Sequence, residues 1–422
     1  MKKTTKTVYL EKALLIGVVT SSNKSEFENT LAELEQLTKT AGAVVSDVVI
    51  QRRDVPDTTF YIGRGKVDEI KNAVEGNDID VVIFDNELSP AQIRNLENAI
   101  KVKVIDRTEL ILDIFATHAR SRQAKLQVEL AQLEYTLPRL KHMWTHLSRI
   151  EGGIGQRGPG ETQLEMDRRL ARDKITKIKR EIEVINQRRQ RDVENRSEYF
   201  NISLIGYTNA GKSTLMNALT GTDCLVEDKL FSTLDTKTNL WSIGKYKLLL
   251  SDTVGFIRNL PHNLIASFHA TLQEVINADL LFHVVDVSQP NPSEHIKAVD
   301  KVLDELGCKG KDRLLLFNKI DEAEPLELQI ISKEYPDALL ISAKENIGLD
   351  NLTKIITEII EEKEIEAVFS IPAGDGKTRA YLAEHGRITK ETYTGNKARI
   401  KIKLSPAAHS RVIHYMETIK GK

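Results

Sequence analysis

The stretch Gly206-Tyr-Thr-Asn-Ala-Gly-Lys-Ser213 constrains this chain more than any other, because it fits G-x-x-x-x-G-K-[ST]. The apolar, β-prone run Ile202–Ile205 precedes it, and the helix-forming run Thr214–Leu219 follows. Strand, glycine loop and helix are the context in which this pattern wraps an anion. The glycines let backbone N–H groups converge, and the helix N-terminus adds a favourable dipole. Lys212 is then placed to reach β- and γ-phosphates, and the Ser213 hydroxyl to ligate magnesium.

Three further motifs follow at the carboxyl ends of apolar strands, where open α/β sheets bind ligands. Leu248–Leu250 runs into Asp252-Thr-Val-Gly255, Arg313–Phe317 into Asn318-Lys-Ile-Asp321, and Ala338–Ile341 into Ser342-Ala-Lys344. A phosphate cradle, a metal, a γ-phosphate sensor and a base reader are what nucleoside triphosphate hydrolysis needs. Asp252 can hold magnesium through water, and the Gly255 N–H can meet the γ-phosphate. In Leu230-Phe-Ser-Thr-Leu234, Thr233 is the candidate switch threonine closing on magnesium, with Thr236 and Thr238 as rivals. The Asp321 carboxylate can accept from both N1–H and the exocyclic amine of guanine, a donor pair that adenine lacks. Asn318 would support the loop and the base edge, the Lys319 stem would cover the ring, and Ala343 N–H would meet the guanine oxygen. The candidate nucleotide contacts are thus Gly206, Tyr207, Thr208, Asn209, Ala210, Gly211, Lys212, Ser213 and Thr214, with Asp252, Gly255, Asn318, Lys319, Asp321, Ser342, Ala343 and Lys344. Lys212, Thr233, Gly255 and Asn209 are the catalytic candidates, and Ser213, Thr233 and Asp252 the metal ligands.

The 422 residues predict an α/β chain of four parts. In residues 1–117, strands at Leu14–Thr20, Val44–Gln51, Val81–Asp85 and Val102–Asp106 alternate with helices at Glu26–Ala41, Gly65–Glu75 and Pro90–Ala99, a small mostly parallel domain. Within it, Tyr61-Ile-Gly-Arg-Gly-Lys66 is either a phosphate contact or, more simply, a strand-to-helix turn. Residues 118–195 carry two apolar seams, Leu126–Leu147 and Ala171–Ile185, separated by a loop with glycines at 152, 153, 155, 158 and 160. That pattern predicts an antiparallel helical hairpin with a glycine-rich tip, kinked at Pro138. Residues 196–364 hold the nucleotide motifs. Residues 365–422 read as a small α+β unit with strands at Glu366–Ile371, Ile388–Tyr393 and Ala398–Leu404.

Charge is distributed unevenly. From His118 to Arg191 there are 17 Lys and Arg against 9 Asp and Glu, a net of +8, while the remainder holds 43 against 52, a net of −9. A solvated coiled-coil face would mix signs more evenly, so the arm reads as a polyanion-binding element. Two cysteines, Cys224 and Cys308, without metal-ligand spacing suit a reducing, cytoplasmic compartment. The run Ala13–Val19 is too short for a membrane span and reads as a strand, so no membrane insertion is expected. A monomer is expected in solution.

Gly158-Pro-Gly-Glu-Thr-Gln-Leu-Glu165 followed by Asp167-Arg-Arg169, upstream of the nucleotide motifs, resembles the signature of the HflX family of P-loop GTPases. The resemblance extends over essentially the whole chain. It implies a ribosome-associated GTPase that takes GTP to GDP with Mg²⁺, binds the large subunit and its ribosomal RNA rather than DNA, and acts on idle or stalled ribosomes, including by splitting them. A GTP switch for a protein partner, with the hairpin as a dimerising coiled coil, is the alternative. A nucleotide-holding scaffold without hydrolysis is another. The chain departs from many small GTPases in placing Phe256 where they carry a water-orienting glutamine. Asn209 resembles the asparagine by which potassium-activated GTPases hold K⁺ beside the phosphates; it could equally only satisfy loop backbone.

Overall fold

The computed structural model describes residues 10–21, 27–139, 159–195, 199–222, 230–231, 236–244, 246–258 and 273–420. The N-terminal sheet contains β1 (Lys12–Val19), β2 (Val44–Arg52), β3 (Val81–Phe84) and β4 (Lys103–Asp106), linked by α1 (Phe27–Thr40), α2 (Arg64–Asn77) and α3 (Pro90–Ile100). The order is β2-β1-β3-β4 with every pairing parallel. A parallel sheet is covered on both faces at its centre, which is why β1 and β3 are almost continuously apolar and buried, whereas the edge strand β2 carries polar residues and stays partly exposed. Ala13 and Leu15 enter one core, whereas Leu14, Ile16 and Val18 enter the opposite one. Ser89 starts α3 with a reciprocal cap to Gln92, and Pro90 opens the first turn.

The segment Tyr61–Lys66 leads into α2. Gly63 N–H donates to Gln51 Oε1 at 2.9 Å, and Lys66 pairs with Glu69 at 2.7 Å. A helix that the sequence did not reveal, α4 (Arg107–His118), follows β4 directly, its first turn capped by Asp106 through Glu109 N–H. It buries Leu110, Ile111, Leu112, Ile114 and Phe115 around most of its circumference, so it lacks the one-sided pattern that betrays a surface helix.

The hairpin helices are α5 (Arg122–Thr136) and α6 (Pro159–Asn195). Leu126, Leu130 and Leu133 pack on Ile175, Ile178 and Ile182, as the two seams require. Arg122 and Gln123 at the start of α5 meet Glu181 and Asn186, while Glu129 further along meets Lys174, so the helices run in opposite senses; Lys179 crosses the seam to Glu134. The helix ends at Thr136; Leu137 keeps helical dihedrals and donates its N–H to Leu133 O at 2.8 Å, Pro138 has no N–H to continue the ladder, and Arg139 N–H closes a turn on Thr136 O at 2.8 Å. The course of the chain beyond Pro138, where a kink is expected, lies outside the described residues from 140 on. The rest of the first seam, Leu140 to Leu147, and most of the glycine tip lie outside the described residues. The opposite side of α5 is not solvent: Ala124, Val128, Ala131 and Tyr135 enter the core beneath the N-terminal sheet.

The central sheet has the order β10-β9-β8-β5-β7-β6. Its strands are β5 (Phe200–Gly206), β6 (Lys237–Ile243), β7 (Tyr246–Asp252), β8 (Leu280–Asp286), β9 (Arg313–Asn318) and β10 (Leu339–Leu340). Only β6, on the edge, is antiparallel. Helices α7 (Lys212–Thr220), α8 (Gln273–Asn277), α9 (Pro292–Glu305), α10 (Pro325–Glu334) and α11 (Leu349–Lys363) connect or flank it. One apolar cluster runs from Ala13 and Phe115 through Tyr207 and Phe256 to Cys308, so the two sheets share a core. Phe115 meets Phe231 edge-on across it, with ring centroids 4.6 Å apart.

Beyond α11 lie β11 (Ile365–Pro372), α12 (Gly376–His385), β12 (Arg387–Thr394), β13 (Lys397–Leu404) and α13 (Pro406–Lys420). They form an antiparallel sheet, β11-β13-β12, with Ala398, Ile400, Ile402 and Leu404 packed under the two helices. Among the described residues no helix is long and apolar enough to cross a membrane.

Candidate nucleotide site

The phosphate loop leaves β5 at Gly206 and enters α7 at Lys212. Both loop glycines are dictated by contact. Gly206 has φ +150, and a Cβ there would lie 2.1 Å from the Val284 carbonyl oxygen. Gly211 has φ +89, and a Cβ would meet Asn318 Nδ2 at 2.2 Å. That Nδ2 donates to Ala210 O at 2.9 Å, and Asn318 Oδ1 accepts from Ala343 N–H at 2.9 Å. Asn318 therefore ties the phosphate loop to the Ser342-Ala-Lys344 loop. It also engages the N–H expected to face the guanine oxygen, so a bound base must share or replace that contact.

Lys212 is buried and folds over its own loop, donating to Gly206 O at 3.1 Å and Tyr207 O at 2.7 Å. Burial lowers its ammonium to about 8, with Asp252 pulling the other way. The phosphates of a nucleotide can supply the compensation that loop carbonyls only partly give. Asp252, at the end of β7 and wholly buried, accepts from the Ser213 hydroxyl at 2.5 Å. A hydroxyl and a carboxylate brought together beside a phosphate cradle are the hard oxygen donors that magnesium takes along with phosphates and waters. The pair fits that ion.

Gly255 passes over the loop so closely that a Cβ would sit 2.9 Å from Thr208 Cα and 3.1 Å from Lys212 Nζ. The next residue zips the two loops together: Thr208 N–H donates to Phe256 O at 2.8 Å, and Phe256 N–H to Gly206 O at 3.1 Å. The Phe256 ring is 3% exposed and belongs to the shared core. Its place in the sequence is that of a water-orienting side chain, but its place in the fold is structural.

In the Asn318-Lys-Ile-Asp321 motif, Lys319 has φ +66, and its ammonium pairs with the buried Asp286 at 2.7 Å. Asp321 and Lys344 are exposed, while Ser342 is buried and accepts from Glu345 N–H at 3.1 Å. Thr214 lies in the first turn of α7, and Asn209 is exposed with φ +61. Thr233 lies outside the described residues. Of its rivals, Thr238 is committed to β6, where its hydroxyl meets that of Ser251 at 2.9 Å.

One part of the site gave no sequence signal. The Tyr207 hydroxyl donates to Glu33 of α1 and accepts from Arg258 N–H at 2.9 Å. Glu33 pairs with Arg107, which also reaches Asp85 at 2.8 Å. Burial works against the Arg107 charge, but Glu33 and Asp85 more than offset it and hold the guanidinium above its ordinary range. Burial and Glu33 likewise push the Tyr207 phenol well up, so it stays protonated and donates. The Tyr207 ring stacks on His295 with centroids 4.3 Å apart.

Three family models match the chain: GTP-binding GTPase N-terminal over residues 28–116, GTP-binding GTPase Middle Region over 118–196, and 50S ribosome-binding GTPase over 201–319. GTPase HflX of Caldanaerobacter subterraneus is 44% identical over 410 residues, covering 96% of this chain and 94% of that protein. The chain belongs to the HflX GTPase family. GTPase HflX of Escherichia coli is 42% identical over 388 residues, 90% of each protein. Among solved structures, a GTP-binding protein from Sulfolobus solfataricus in complex with GDP is 28% identical, with a TM-score of 0.44, covering 83% of this chain and 98% of that one. As an HflX GTPase, the chain binds guanine nucleotide and converts GTP to GDP and phosphate.

Proposed function

We propose that this HflX GTPase is a cytoplasmic factor that binds the large ribosomal subunit and splits or rescues idle or stalled ribosomes. Its basic helical arm, residues 118–195, meets ribosomal RNA in this reading, and residues 196–364 carry the GTPase. The observation that carries it is the row of exposed cations along α6. Arg169, Arg172, Lys177, Arg180 and Arg188 are exposed on α6, and the last three line a groove with Arg122 of α5, which also holds Asp173 and Glu181, the latter paired with Arg122. Such a row of cations binds phosphates with an affinity that falls steeply as salt rises. The family model called 50S ribosome-binding GTPase supports the same partner.

At the nucleotide, Lys212 and the loop amides hold the β- and γ-phosphates, Gly255 N–H meets the γ-phosphate, and Asp321 reads guanine with Asn318, Lys319, Ser342, Ala343 and Lys344 around it. Ser213, Asp252 and Thr233 would hold Mg²⁺, which neutralises charge developing between β- and γ-oxygens. With Phe256 turned into the core, water orientation and charge compensation fall to other groups; Asn209 holding K⁺ beside the phosphates is the one proposed here. The deciding experiment sediments the protein with ribosomes in GTP, GDP and a non-hydrolysable analogue across a salt series. GTP-dependent, salt-sensitive binding to large subunits, with dissociation of intact ribosomes, is expected. Absence of large-subunit binding in every nucleotide state would refute the reading.

A further inference from the structure

Among the described residues, the C-terminal sheet is covered on one face only. Helices α12 and α13 sit over Ala398, Ile400, Ile402 and Leu404, so the alternate residues of β13 point the other way. Those residues are Lys397, Arg399, Lys401 and Lys403, a cation at every second position of the central strand. The cross-strand register adds Lys390 opposite Lys401 and Arg387 opposite Lys403. From β11 the same register contributes Glu366, Val368, Ser370 and Pro372. Glu366 is the only carboxylate among these residues, and it pairs with Lys401 at 2.6 Å. Arg387 is drawn toward Glu361 and Glu364 of the preceding helix and strand junction, at 3.5 and 3.6 Å. Residues 365–422 carry 11 Lys and Arg against 5 Asp and Glu, although the chain as a whole is near neutral.

Like charges directly opposite one another weaken a sheet. Carboxylates offset Lys401 and Arg387 only in part, and a face that still leaves Lys390, Lys397 and Arg399 exposed and Lys403 half-exposed is suited to an external polyanion. Its layout selects the kind. The cations form a line at strand spacing, interleaved with the exposed hydroxyls of Thr392, Thr394 and Ser370. Arginine, lysine and short hydroxyls are the groups that hold phosphate oxygens without reading bases. Among the described residues no aromatic ring of the sheet stands on this face: Phe369 and Tyr393 pair with Ile400 and Ala398, on the helix side. Base stacking, the other half of single-strand recognition, is therefore missing.

We propose that the open face of β11-β13-β12 is a second RNA-binding surface, one that grips the phosphodiester backbone without sequence preference. The ribosomal setting rests on the function proposed above; the surface itself is separate from the helical arm. The test uses the full-length protein and deproteinised large-subunit ribosomal RNA, with affinity measured across a salt series. The variant K397Q/R399Q/K403Q should lower the slope of log affinity against log salt by about 2 to 3, from the loss of about 0.7–0.9 per phosphate contact. GTP hydrolysis without RNA should be unchanged. Glu366→Gln, which releases Lys401 and keeps every cation, should bind the RNA more tightly and serves if the triple variant folds poorly. An arm variant, R172Q/K177Q/R180Q, separates the two readings. If it loses slope while both sheet variants behave as the parent, the sheet inference falls and the arm reading stands. If neither changes the slope, both fall. Loss of polyglutamate binding in the sheet variant with unchanged RNA slope would assign the face to an acidic protein and overturn the proposal.

Discussion

The Tyr207 hydroxyl donates a hydrogen bond to the carboxylate of Glu33, joining the residue after the loop's first glycine to a helix of the N-terminal sheet. Through Glu33 the link continues to Arg107 and Asp85, and Arg258 just beyond the Asp252-Thr-Val-Gly255 motif donates its N–H to the same phenol. Tyr207→Phe keeps the stack on His295 but leaves a buried carboxylate and an N–H short of a partner. The expected loss is about 1–3 kcal/mol in denaturant unfolding. Arg107→Met strands two buried carboxylates and should cost more, about 3–5 kcal/mol. Equal, small effects for both would mean that the cluster is solvated in solution.

Base selectivity should follow one carboxylate. Asp321→Asn presents an amide that can donate where guanine needs an acceptor, so preference should move from GTP toward xanthosine triphosphate. Competition binding with the two nucleotides measures it. Undiminished GTP preference would place base reading elsewhere.

Hydrolysis should be faster in potassium than in sodium at equal ionic strength. Asn209→Ala should remove the difference. Equal phosphate release in both salts by the parent protein would end the case for a cation at Asn209.

Two histidines, His283 buried and His295 half-buried, set an acid limit on stability. Burial, with Arg313 and Lys212 nearby, lowers His283 to about 3, and among the described residues neither of its ring nitrogens has a hydrogen-bond partner. Burial and Arg258 lower His295 to about 4. In the unfolded chain both take up protons near pH 6.5. Stability is therefore full above that pH and falls as pH drops through the window toward 3–4. His283→Phe should lessen the loss between pH 7.5 and pH 5 by about 2 kcal/mol. Thermal unfolding at the two pH values would show it, and parallel curves for parent and variant would contradict it.

The glycine tip should matter for the ribosome and not for the nucleotide. Replacing 152–160 by a short neutral turn should leave folding and GTP binding intact while ribosome splitting falls sharply. A variant that splits ribosomes as fast as the parent would reduce the tip to a connector.

The nucleotide loops were legible because each depends on residues close in sequence: two glycines forced by contacts, and motifs that end strands. The seams of α5 and α6 were legible through their period. Helix α4 was not, since a helix buried on most sides shows no polar stripe. The cluster of Glu33, Asp85, Arg107 and Tyr207 was beyond reach for a different reason. Its members are separated by up to 174 positions and belong to no period, so only the folded chain brings them together. Phe256 misled by position: the motif placed it beside the phosphates, whereas backbone pairing with Gly206 and Thr208 turns its ring inward.

Helix α5 is a wall shared by two rooms. Leu126, Leu130 and Leu133 serve α6 on one side, while Ala124, Val128, Ala131 and Tyr135 serve the core below the N-terminal sheet on the other. The 37-residue α6, about 55 Å long, cannot come away from its base without uncovering one side of that wall. Arm and sheet therefore melt as one cooperative unit. Amide protons in the middle of α5 will exchange with solvent only as slowly as the N-terminal sheet opens, while those of α6 beyond Ile185 will exchange on their own, faster clock.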